Sequence, residues 1–281
     1  MKIGFIDKYL DEWHANHLPG WLREETNVEA IYCWEEIPSP IEGSVDGKTW
    51  AKEHDAIYCD TIEDVVKNSD VIIVLGPSFP EDHEKFCQIP FKYGKPTYVD
   101  KTFAPDRETA RRIIDSALSS NAPMYSTSAL RHSTELKDVP KDNIESISMR
   151  GPGPLEMYSI HQIEPIVSLM GTDAESVMFL GTREHPGYVV RFKGGRYATA
   201  QHFDWECPFN LSINYSDDKP AYYVKECTDF FPNFVRELVK FFETKERPVD
   251  YAETETVIAI RAAVLKAKDT PYEWVDLTPN I

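Results

Sequence analysis

The sequence is poor in positive charge and has no long apolar run. Its 281 residues include 30 Lys and Arg against 47 Asp and Glu, which gives a formal net charge of −17 at pH 7. A surface of this sign repels phosphates, so the chain is not expected to bind nucleic acid or an anionic membrane. No apolar stretch approaches the roughly 20 residues of a membrane span, and no signal-peptide pattern precedes the first predicted strand. We therefore predict a cytoplasmic protein.

Cysteine is scarce as well, and it forms no C-x-x-C pair. The cysteines are odd in number and widely spaced (Cys33, Cys59, Cys87, Cys207, Cys227). This pattern predicts reduced thiols rather than a disulfide framework. A length of 281 residues, with 42% of them hydrophobic, is enough for one large or two medium domains with a substantial core.

Glycine is missing where a nucleotide-binding turn needs it. Lys2–Asp7 has the pattern of a buried parallel strand, and no glycine lies between Gly4 and Gly20. A dinucleotide-binding unit carries G-x-G-x-x-G after its first strand, because glycines let backbone amides approach a pyrophosphate at a helix N-terminus. Here Asp7 or Asp11 is expected to cap the helix instead. The residues that occupy the turn are bulky or acidic: Tyr9, Leu10, Asp11 and Glu12.

The middle of the N-terminal half contains a strand–helix–strand unit. Val71–Leu75 is an apolar run short enough for a buried strand, Glu81–Phe91 mixes polar and apolar residues as a helix does, and Thr97–Val99 is a second strand. A unit of this length implies two parallel strands joined by a right-handed crossover. Ligands of such sheets bind beyond the carboxyl ends of the strands, where Pro77 and Lys101 are placed.

This unit resembles the corresponding part of the Gfo/Idh/MocA oxidoreductase family. In that family one strand ends in Thr-Pro, a His lies a few residues on, and the next strand ends in Glu-Lys-Pro. The chain has Gly76-Pro77, His83 and Asp100-Lys101-Thr102 in those places. The resemblance implies that Lys101 contacts both a nicotinamide ribose and the substrate, and that Pro77 and His83 line the nicotinamide side. The alternative for Lys101 is an ordinary solvated lysine at a strand end.

A second constellation lies in the C-terminal half. His161 and Glu164 are three residues apart at a predicted helix start, so they would share one face. An imidazole exchanges protons with a hydroxyl near neutral pH, and a neighbouring carboxylate fixes its tautomer or raises its pKa. The family has a similar segment with Asp four residues before the His and Asp three after it; here Met157 and Glu164 occupy those positions. A family variant reading Gly-Ile-His-Pro-Val-Glu is closer to Ser159–Glu164. The alternative for His161 is a hydrogen-bonded histidine in a packed helix.

The resemblance implies further binding residues. An acidic residue near the end of the second strand binds the adenosine ribose in the family, and Glu35 and Glu36 follow the predicted strand Val28–Trp34. The alternative is a charged loop. Arg131 stands where the family often has an Arg, with a surface or interdomain salt bridge as its alternative. The predicted catalytic residues are Lys101, His161 and Glu164; the cofactor-binding residues are Asp7, Leu10, Glu35, Pro77, His83, Asp100 and Lys101; the substrate-binding residues are Arg131 and His161.

The predicted fold class is α/β, with an N-terminal Rossmann-type parallel sheet domain and a C-terminal α+β domain built on an antiparallel sheet. The domains are expected to cover residues 1–128 and 129–281. In the second half, short strand candidates alternate with turns, and two apolar helical stripes follow in Phe230–Phe242 and Ala252–Lys268. The tail Tyr272–Leu277 is expected to add an edge strand.

The predicted function is NAD(P)-dependent oxidation or reduction of a small polyhydroxylated substrate, sugar- or cyclitol-like, with NAD or NADP as cofactor. The alternative is a non-catalytic ligand-binding or regulatory protein that retains the fold and has lost hydride transfer.

The resemblance also implies a homodimer or homotetramer. A third possibility, a metal-dependent hydrolase using His14 and His17, ranks last, because the sequence identifies no further ligands. No metal is predicted.

Overall fold

The computed structural model describes residues 1–277 and divides the chain into two compact units. The first unit combines Met1–Thr127 with Phe234–Tyr251, and the second combines Ser128–Asn233 with residues 252–277. The domain boundary predicted at residue 128 lies at the first crossing between the units. However, the segment Phe234–Tyr251, which the prediction placed in the second domain, belongs to the first.

Aromatic packing explains why this later segment joins the first unit. The Phe234 ring lies 5.2 Å from the ring of Tyr98, and the Phe241 ring lies 4.7 Å from the ring of Tyr125. Both tyrosines belong to the first sheet and are 1% exposed. Large aromatic side chains dominate core energetics, so the helix that carries these phenylalanines completes the core of the first unit.

The first unit is built on a six-stranded parallel sheet. The strand order is β3-β2-β1-β4-β5-β6, and every described pair is parallel. The order reverses direction between β1 and β4, which places a topological switch point beyond the carboxyl ends of those two strands. The strands are β1 Lys2–Asp7, β2 Ala30–Glu35, β3 Ile57–Tyr58, β4 Val71–Val74, β5 Thr97–Val99 and β6 Met124–Tyr125. The helices of this part are α1 Trp13–Glu25, α2 Gly47–Glu53, α3 Ile62–Asn68, α4 His83–Lys92 and α5 Arg107–Ser119.

The N-cap of α1 differs from the prediction. Neither Asp7 nor Asp11 caps this helix; Glu12 does, with Oε1 accepting a hydrogen bond of 2.6 Å from the amide of Ala15. The two aspartates are used elsewhere: Asp7 is the last residue of β1, and Asp11 accepts from the amide of Val45 at 2.9 Å. The cap is therefore the acid that directly precedes the helix, and it satisfies one of the free amides of the first turn.

The second unit is built on a seven-stranded mixed sheet in the order β12-β11-β7-β10-β9-β8-β13. Its strands are β7 Ile144–Pro152, β8 Ala174–Gly181, β9 Pro186–Phe192, β10 Tyr197–Phe203, β11 Asn210–Tyr215, β12 Tyr222–Val224 and β13 Trp274–Asp276. The pair β7–β10 is parallel, whereas the other described pairs are antiparallel. The predicted fold class is confirmed, with this one parallel pair as the departure from a purely antiparallel sheet. The tail supplies the edge strand β13 as predicted.

Three long helices complete the described chain: α6 Leu155–Met170, α7 Phe230–Thr244 and α8 Tyr251–Ala267. Helix α6 begins well before the predicted start near His161, so His161 lies in the middle of the helix. The prolines at positions 154 and 165 obscured this helix in the sequence, because Pro165 lacks the N–H that a helix interior normally uses. Among the helices of residues 1–277, none has the length and apolar character required to cross a bilayer.

Candidate functional site

The first group of candidate residues lies at the carboxyl ends of β1, β4 and β5. Asp7 ends β1, Gly76-Pro77 follows β4, and Asp100-Lys101 follows β5. The amide of Asp100 donates to the carbonyl of Val74 at 2.9 Å, which continues the β4–β5 pairing up to the site. Parallel strands bring their carboxyl ends to one edge, and the predicted placement of Pro77 and Lys101 rested on this rule.

Asp100 organises the charged groups at this edge. Its Oδ1 lies 3.0 Å from the hydroxyl of Tyr98. Its Oδ2 is buried, has no hydrogen-bond partner among the described residues, and lies 3.9 Å from both Lys101 Nζ and His14 Nε2. The side chain of Lys101 is only 15% exposed. The lysine cation is therefore held beside a buried carboxylate rather than extended into solvent, which disfavours the alternative of an ordinary surface lysine.

Asp7 is buried at the same edge and is 1% exposed. Burial, followed by repulsion from Glu12 and then, among weaker influences, from Asp100, raises the pKa of the Asp7 carboxyl well above its usual value of 3.8. Its Oδ1 accepts a hydrogen bond of 2.6 Å from the amide of Lys8. The fold thus favours the neutral form of Asp7, which lies close to the carboxyl groups of Glu12 and Asp100.

The turn between β1 and α1 has its amides bonded to carboxylates. Glu35, at the end of β2, accepts from the amide of Leu10 at 3.0 Å and from the amide of Gly47 at 2.6 Å. Glu12 accepts from Ala15, and Asp7 accepts from Lys8. The side chain of Leu10 is fully buried beneath the turn.

This turn does not fit a dinucleotide diphosphate. A diphosphate needs free amides and a close backbone approach, and here carboxylates of the chain already accept from the amides. It would also bring negative charge beside Glu12, Glu35 and Glu36, at a distance where like charges repel strongly. The carboxylate of Glu36 is engaged as well, by Lys8 at 2.6 Å and by Lys85. The ribose contact predicted for Glu35 therefore stays a prediction that the geometry does not favour.

His83 lies beneath the loop that follows β4. Its ring is fully buried and its Nδ1 lies 3.0 Å from the carbonyl of Phe103, so the Nδ1–H donates to that carbonyl. Burial lowers the pKa of His83, which keeps the ring neutral. A Cβ added at Gly76 would lie 3.3 Å from His83 Nε2, so the loop rests directly on the ring. The structure supports a role in shaping the loop, and a direct cofactor contact stays a prediction.

The second group of candidate residues lies in the second unit, around His161. The imidazole is half-buried in the middle of α6, and its Nδ1 lies 2.7 Å from the hydroxyl oxygen of Ser128. The ring is flanked by Tyr158, with ring centroids 5.1 Å apart, and by Phe209, with ring centroids 6.0 Å apart. This arrangement holds one ring nitrogen in a defined hydrogen bond within a half-buried residue.

Arg131, on the 3₁₀ turn Ala129–His132 that follows Ser128, lies in an ion-pair network. Its Nη1 lies 3.2 Å from Glu164 Oε1, and its Nη2 pairs with Glu253 on α8. Burial works against the guanidinium charge, but the carboxylates of Glu164 and Glu253 outweigh it and raise the pKa of Arg131. The structure thus brings Arg131 and Glu164 together. The support of His161 by Glu164, and the binding of substrate by Arg131, stay predictions.

Sequence reasoning missed Ser128 and Glu253. Ser128 lies 33 residues before His161, and Glu253 lies 122 residues after Arg131. Neither pair has a spacing that a helix or strand period would reveal. The one local signal was Ser128 as a possible cap, and its hydroxyl does accept from the amide of Leu130 at 3.3 Å.

The histidines of α1 are engaged with their own helix. His14 Nδ1 lies 3.0 Å from the Glu12 carboxylate, and His17 Nδ1 lies 2.6 Å from the carbonyl of Trp13. His17 also stacks on the Trp13 ring. Within residues 1–277, no three or more His, Cys, Asp and Glu side chains are arranged to hold a metal ion.

A cavity of about 690 Å³ in the second unit was not predicted. It lies between the start of α6, the β8–β9 turn and the end of β10, and its lining includes Glu156, His202 and Trp205. His202 Nδ1 lies 3.0 Å from the carbonyl of Gly153, and burial lowers its pKa. Lys268 pairs with Glu156. His202 and Glu156 are therefore already bonded to other groups of the protein.

No protein-family model and no curated protein sequence matches this chain. Solved structures match over nearly the full length. A probable dehydrogenase from Thermotoga maritima has 12% identity and a TM-score of 0.79, covering 99% of both chains. Myo-inositol dehydrogenase from Lactobacillus casei, in complex with NAD(H) and myo-inositol, has 14% identity and a TM-score of 0.77, covering 100% of this chain and 97% of the other. Myo-inositol 2-dehydrogenase from Lactobacillus plantarum has 14% identity and a TM-score of 0.75, covering 99% of both.

The chain has the fold of these dehydrogenases. Identities of 12–14% show the fold alone, and function has to be argued from the site. In this fold the structure assembles Asp7, Asp100 and Lys101 in the first unit. It assembles His161 with Ser128, and Arg131 with Glu164, in the second. At the turn after β1, acidic side chains accept from backbone amides as the missing glycines indicated, but Glu12 rather than Asp7 or Asp11 caps α1.

Proposed function

We propose that the chain is an oxidoreductase that acts on a CH–OH group of a small polyhydroxylated molecule, sugar- or cyclitol-like. The observation that carries this proposal is the half-buried imidazole of His161, held at Nδ1 by Ser128 in a fold shared with inositol dehydrogenases. A half-buried histidine with one ring nitrogen held in a hydrogen bond is suited to exchange a proton with a ligand hydroxyl near neutral pH.

Two further residues have roles in the proposal. Lys101, held beside the Asp100 carboxylate at 3.9 Å, orients and polarises the reacting oxygen of the substrate. Glu164, paired with Arg131 at 3.2 Å, stabilises the helix that carries His161. NAD or NADP remains the proposed cofactor. Because the turn after β1 does not fit a diphosphate, we assign no reaction step to a dinucleotide.

The same turn favours a second candidate function. A non-catalytic protein that binds a polyhydroxylated ligand would keep His161 and its neighbours and would have no need of diphosphate contacts. The amides of Lys8, Leu10 and Ala15, which donate to carboxylates, are the specific observation behind this candidate. The two candidates differ in whether a nicotinamide dinucleotide binds.

Titration with NADH and NADPH, followed by fluorescence, separates the candidates. If the chain is the enzyme, the dinucleotide binds saturably and a member of a panel of inositols and sugars is turned over. Lys101→Met and His161→Asn should abolish this turnover while the circular-dichroism spectrum stays unchanged. Lys92→Met and His185→Asn are matched controls at exposed positions and should retain full turnover. No binding at millimolar dinucleotide, together with a polyol that raises the melting temperature, contradicts the enzyme and supports the binding protein.

A further inference from the structure

His14, in the first turn of α1, lies at the same edge of the first sheet as Lys101. The side chain of Asp100 links the two residues, because its Oδ2 lies 3.9 Å from His14 Nε2 and 3.9 Å from Lys101 Nζ. The two nitrogens are therefore separated by at most twice this distance. The group around Asp100 thus contains an imidazole as well as an ammonium group.

Glu12 fixes the orientation of the His14 ring. Its Oε2 lies 3.0 Å from His14 Nδ1, and its Oε1 accepts from the amide of Ala15 at 2.6 Å. An ionised carboxylate can only accept, so Nδ1 carries the hydrogen of the bond to Glu12. The other ring nitrogen, Nε2, lies toward Asp100 and makes no hydrogen bond with any residue in the range 1–277.

Exposure divides this group into an inner member and two outer members. The side chain of Asp100 is 4% exposed, and its Oδ2 has no hydrogen-bond partner among the described residues. The side chains of His14 and Lys101 are 19% and 15% exposed. A separation of 3.9 Å is too long for a hydrogen bond, so Asp100 holds both nitrogens near it without saturating either one. The imidazole and the ammonium group are therefore the members that a small molecule can reach.

The charges at this edge favour a neutral ligand. Lys101 repels a cation, and the carboxylates of Glu12 and Asp100 repel a phosphate or a carboxylate at close range. A hydroxyl carries no charge and both donates and accepts. It can accept from Lys101 Nζ, and it can bond to His14 Nε2 in either protonation state of the ring. A molecule with several hydroxyls can therefore bond to both nitrogens at once.

We propose that His14 is a ligand-binding residue of the first unit, where His14 Nε2 and Lys101 Nζ hydrogen-bond to hydroxyl groups of one polyol. Asp100 and Glu12 are positioning residues that hold the two nitrogens toward this ligand. The inference rests on the proposed function for the class of ligand, and on the contacts of Asp100 and Glu12 for the residues. His14 acts here as a contact to hydroxyl groups and not as a metal ligand.

NMR of the full chain, ¹⁵N-labelled at histidine, tests the contact directly, with the His14 signals assigned through His14→Asn. Addition of myo-inositol or glycerol should shift the Nε2 signal of His14. The signals of His17, one turn further along α1 and bonded through Nδ1 to the carbonyl of Trp13, should not move. Lys101→Met should weaken the shift at a given inositol concentration, because it removes one of the two hydrogen bonds. Inorganic phosphate at the same concentration should produce no comparable shift.

Calorimetric titration with myo-inositol gives a second readout with matched variants. His14→Asn places its amide near the position of Nδ1, so it loses the bond to the ligand and should raise Kd about tenfold. His14→Gln reaches the position of Nε2 and should stay within about threefold of the wild type. His17→Asn is the matched control and should bind like the wild type. Circular dichroism checks that each variant is folded.

Two results overturn the inference: a His14 Nε2 signal that neither polyol shifts, or equal affinities of the wild type and His14→Asn for inositol. If His14→Asn does not fold, the shift in the wild type and His14→Gln decide. These outcomes are separable from the proposed function. Inositol that binds at His14 without turnover or dinucleotide binding contradicts the oxidoreductase and leaves the site standing. Turnover retained in full by His14→Asn keeps the oxidoreductase and removes the site.

Discussion

At the scale of single residues, the fold decides which ionisable groups carry charge. His132 is the clearest case, since burial, and then the adjacent Arg131 cation, lower the pKa of its imidazole to about 4. Asp7 shows the opposite shift for a related reason, because burial also disfavours its charged form. Both groups are therefore expected to be neutral over ranges of pH in which exposed counterparts are charged.

His132 predicts a loss of stability in mild acid. Its pKa is about 4 in the folded chain and about 6.5 in the unfolded chain, so the unfolded state binds more protons between these values. The contribution to stability is present above pH 6.5 and is lost as pH falls, by about 2 kcal/mol between pH 7 and pH 5. His132→Gln should remove that part of the pH dependence in urea unfolding at the two pH values.

The exposed His185→Gln serves as the control and should follow the wild type at both pH values. An equal fall in stability for wild type and His132→Gln would contradict the low pKa of this imidazole.

The sequence identified some site residues and missed others for a physical reason. Lys101 and His161 follow local patterns, a strand end and a helical segment, that a short window of sequence contains. The contact of Ser128 could not be predicted, because its partner His161 is 33 residues away along the chain. Glu35 was recognised as an acid after β2, but its amide partners depend on how two separate turns fold toward it.

At the scale of secondary-structure elements, regular patterns predicted the bounds well. β1 and β5 have the bounds that the sequence predicted, because each is a short apolar run. The start of α6 was predicted too late because of the prolines in and before this helix.

The approach of α3 to β1 predicts that Gly4 tolerates no side chain. A Cβ at Gly4 would lie 2.7 Å from Ile72 and Val65 side-chain atoms, well inside normal contact distance. Gly4→Ala should therefore lower the free energy of unfolding by about 1–3 kcal/mol through overpacking. Gly20→Ala is the matched control: nothing lies within 4 Å of its added Cβ, and in the interior of α1 it should stabilise by about 0.5–1 kcal/mol.

Urea unfolding of the two variants measures both effects. If Gly4→Ala proves as stable as the wild type, α3 does not lie against β1 at the distance described.

At the scale of the whole molecule, the predicted homodimer or homotetramer has one structural feature in its favour. The register pairs Trp274 with Met178, Met178 with Val189, and Val189 with Thr199, so these side chains share one face of the second sheet. Tyr197 and Phe203 lie on the same face of β10 and are 45% and 47% exposed. An exposed apolar row of this kind often marks an interface.

Light scattering after gel filtration tests self-association. We expect the mass of a dimer or a tetramer, and we expect Val189→Glu to lower it to that of a monomer, because it places a charge in the middle of the row. Leu118→Glu, at an exposed position on α5, should leave the mass unchanged. A monomer mass for the wild type at about 100 µM, within the micromolar to millimolar range in which proteins associate, would contradict the prediction.

Because Phe234–Tyr251 belongs to the first unit, this unit cannot complete its core early in synthesis. When Thr127 leaves the ribosome, the six strands of the first sheet have been synthesised, yet the phenylalanines that cover Tyr98 and Tyr125 have not. The nascent chain must wait for more than a hundred further residues before this core can close, and such distant contacts form slowly. Premature termination before Phe241 would therefore release a product in which the Tyr125 ring lacks this covering phenylalanine. Chaperones bind exposed apolar surface of this kind.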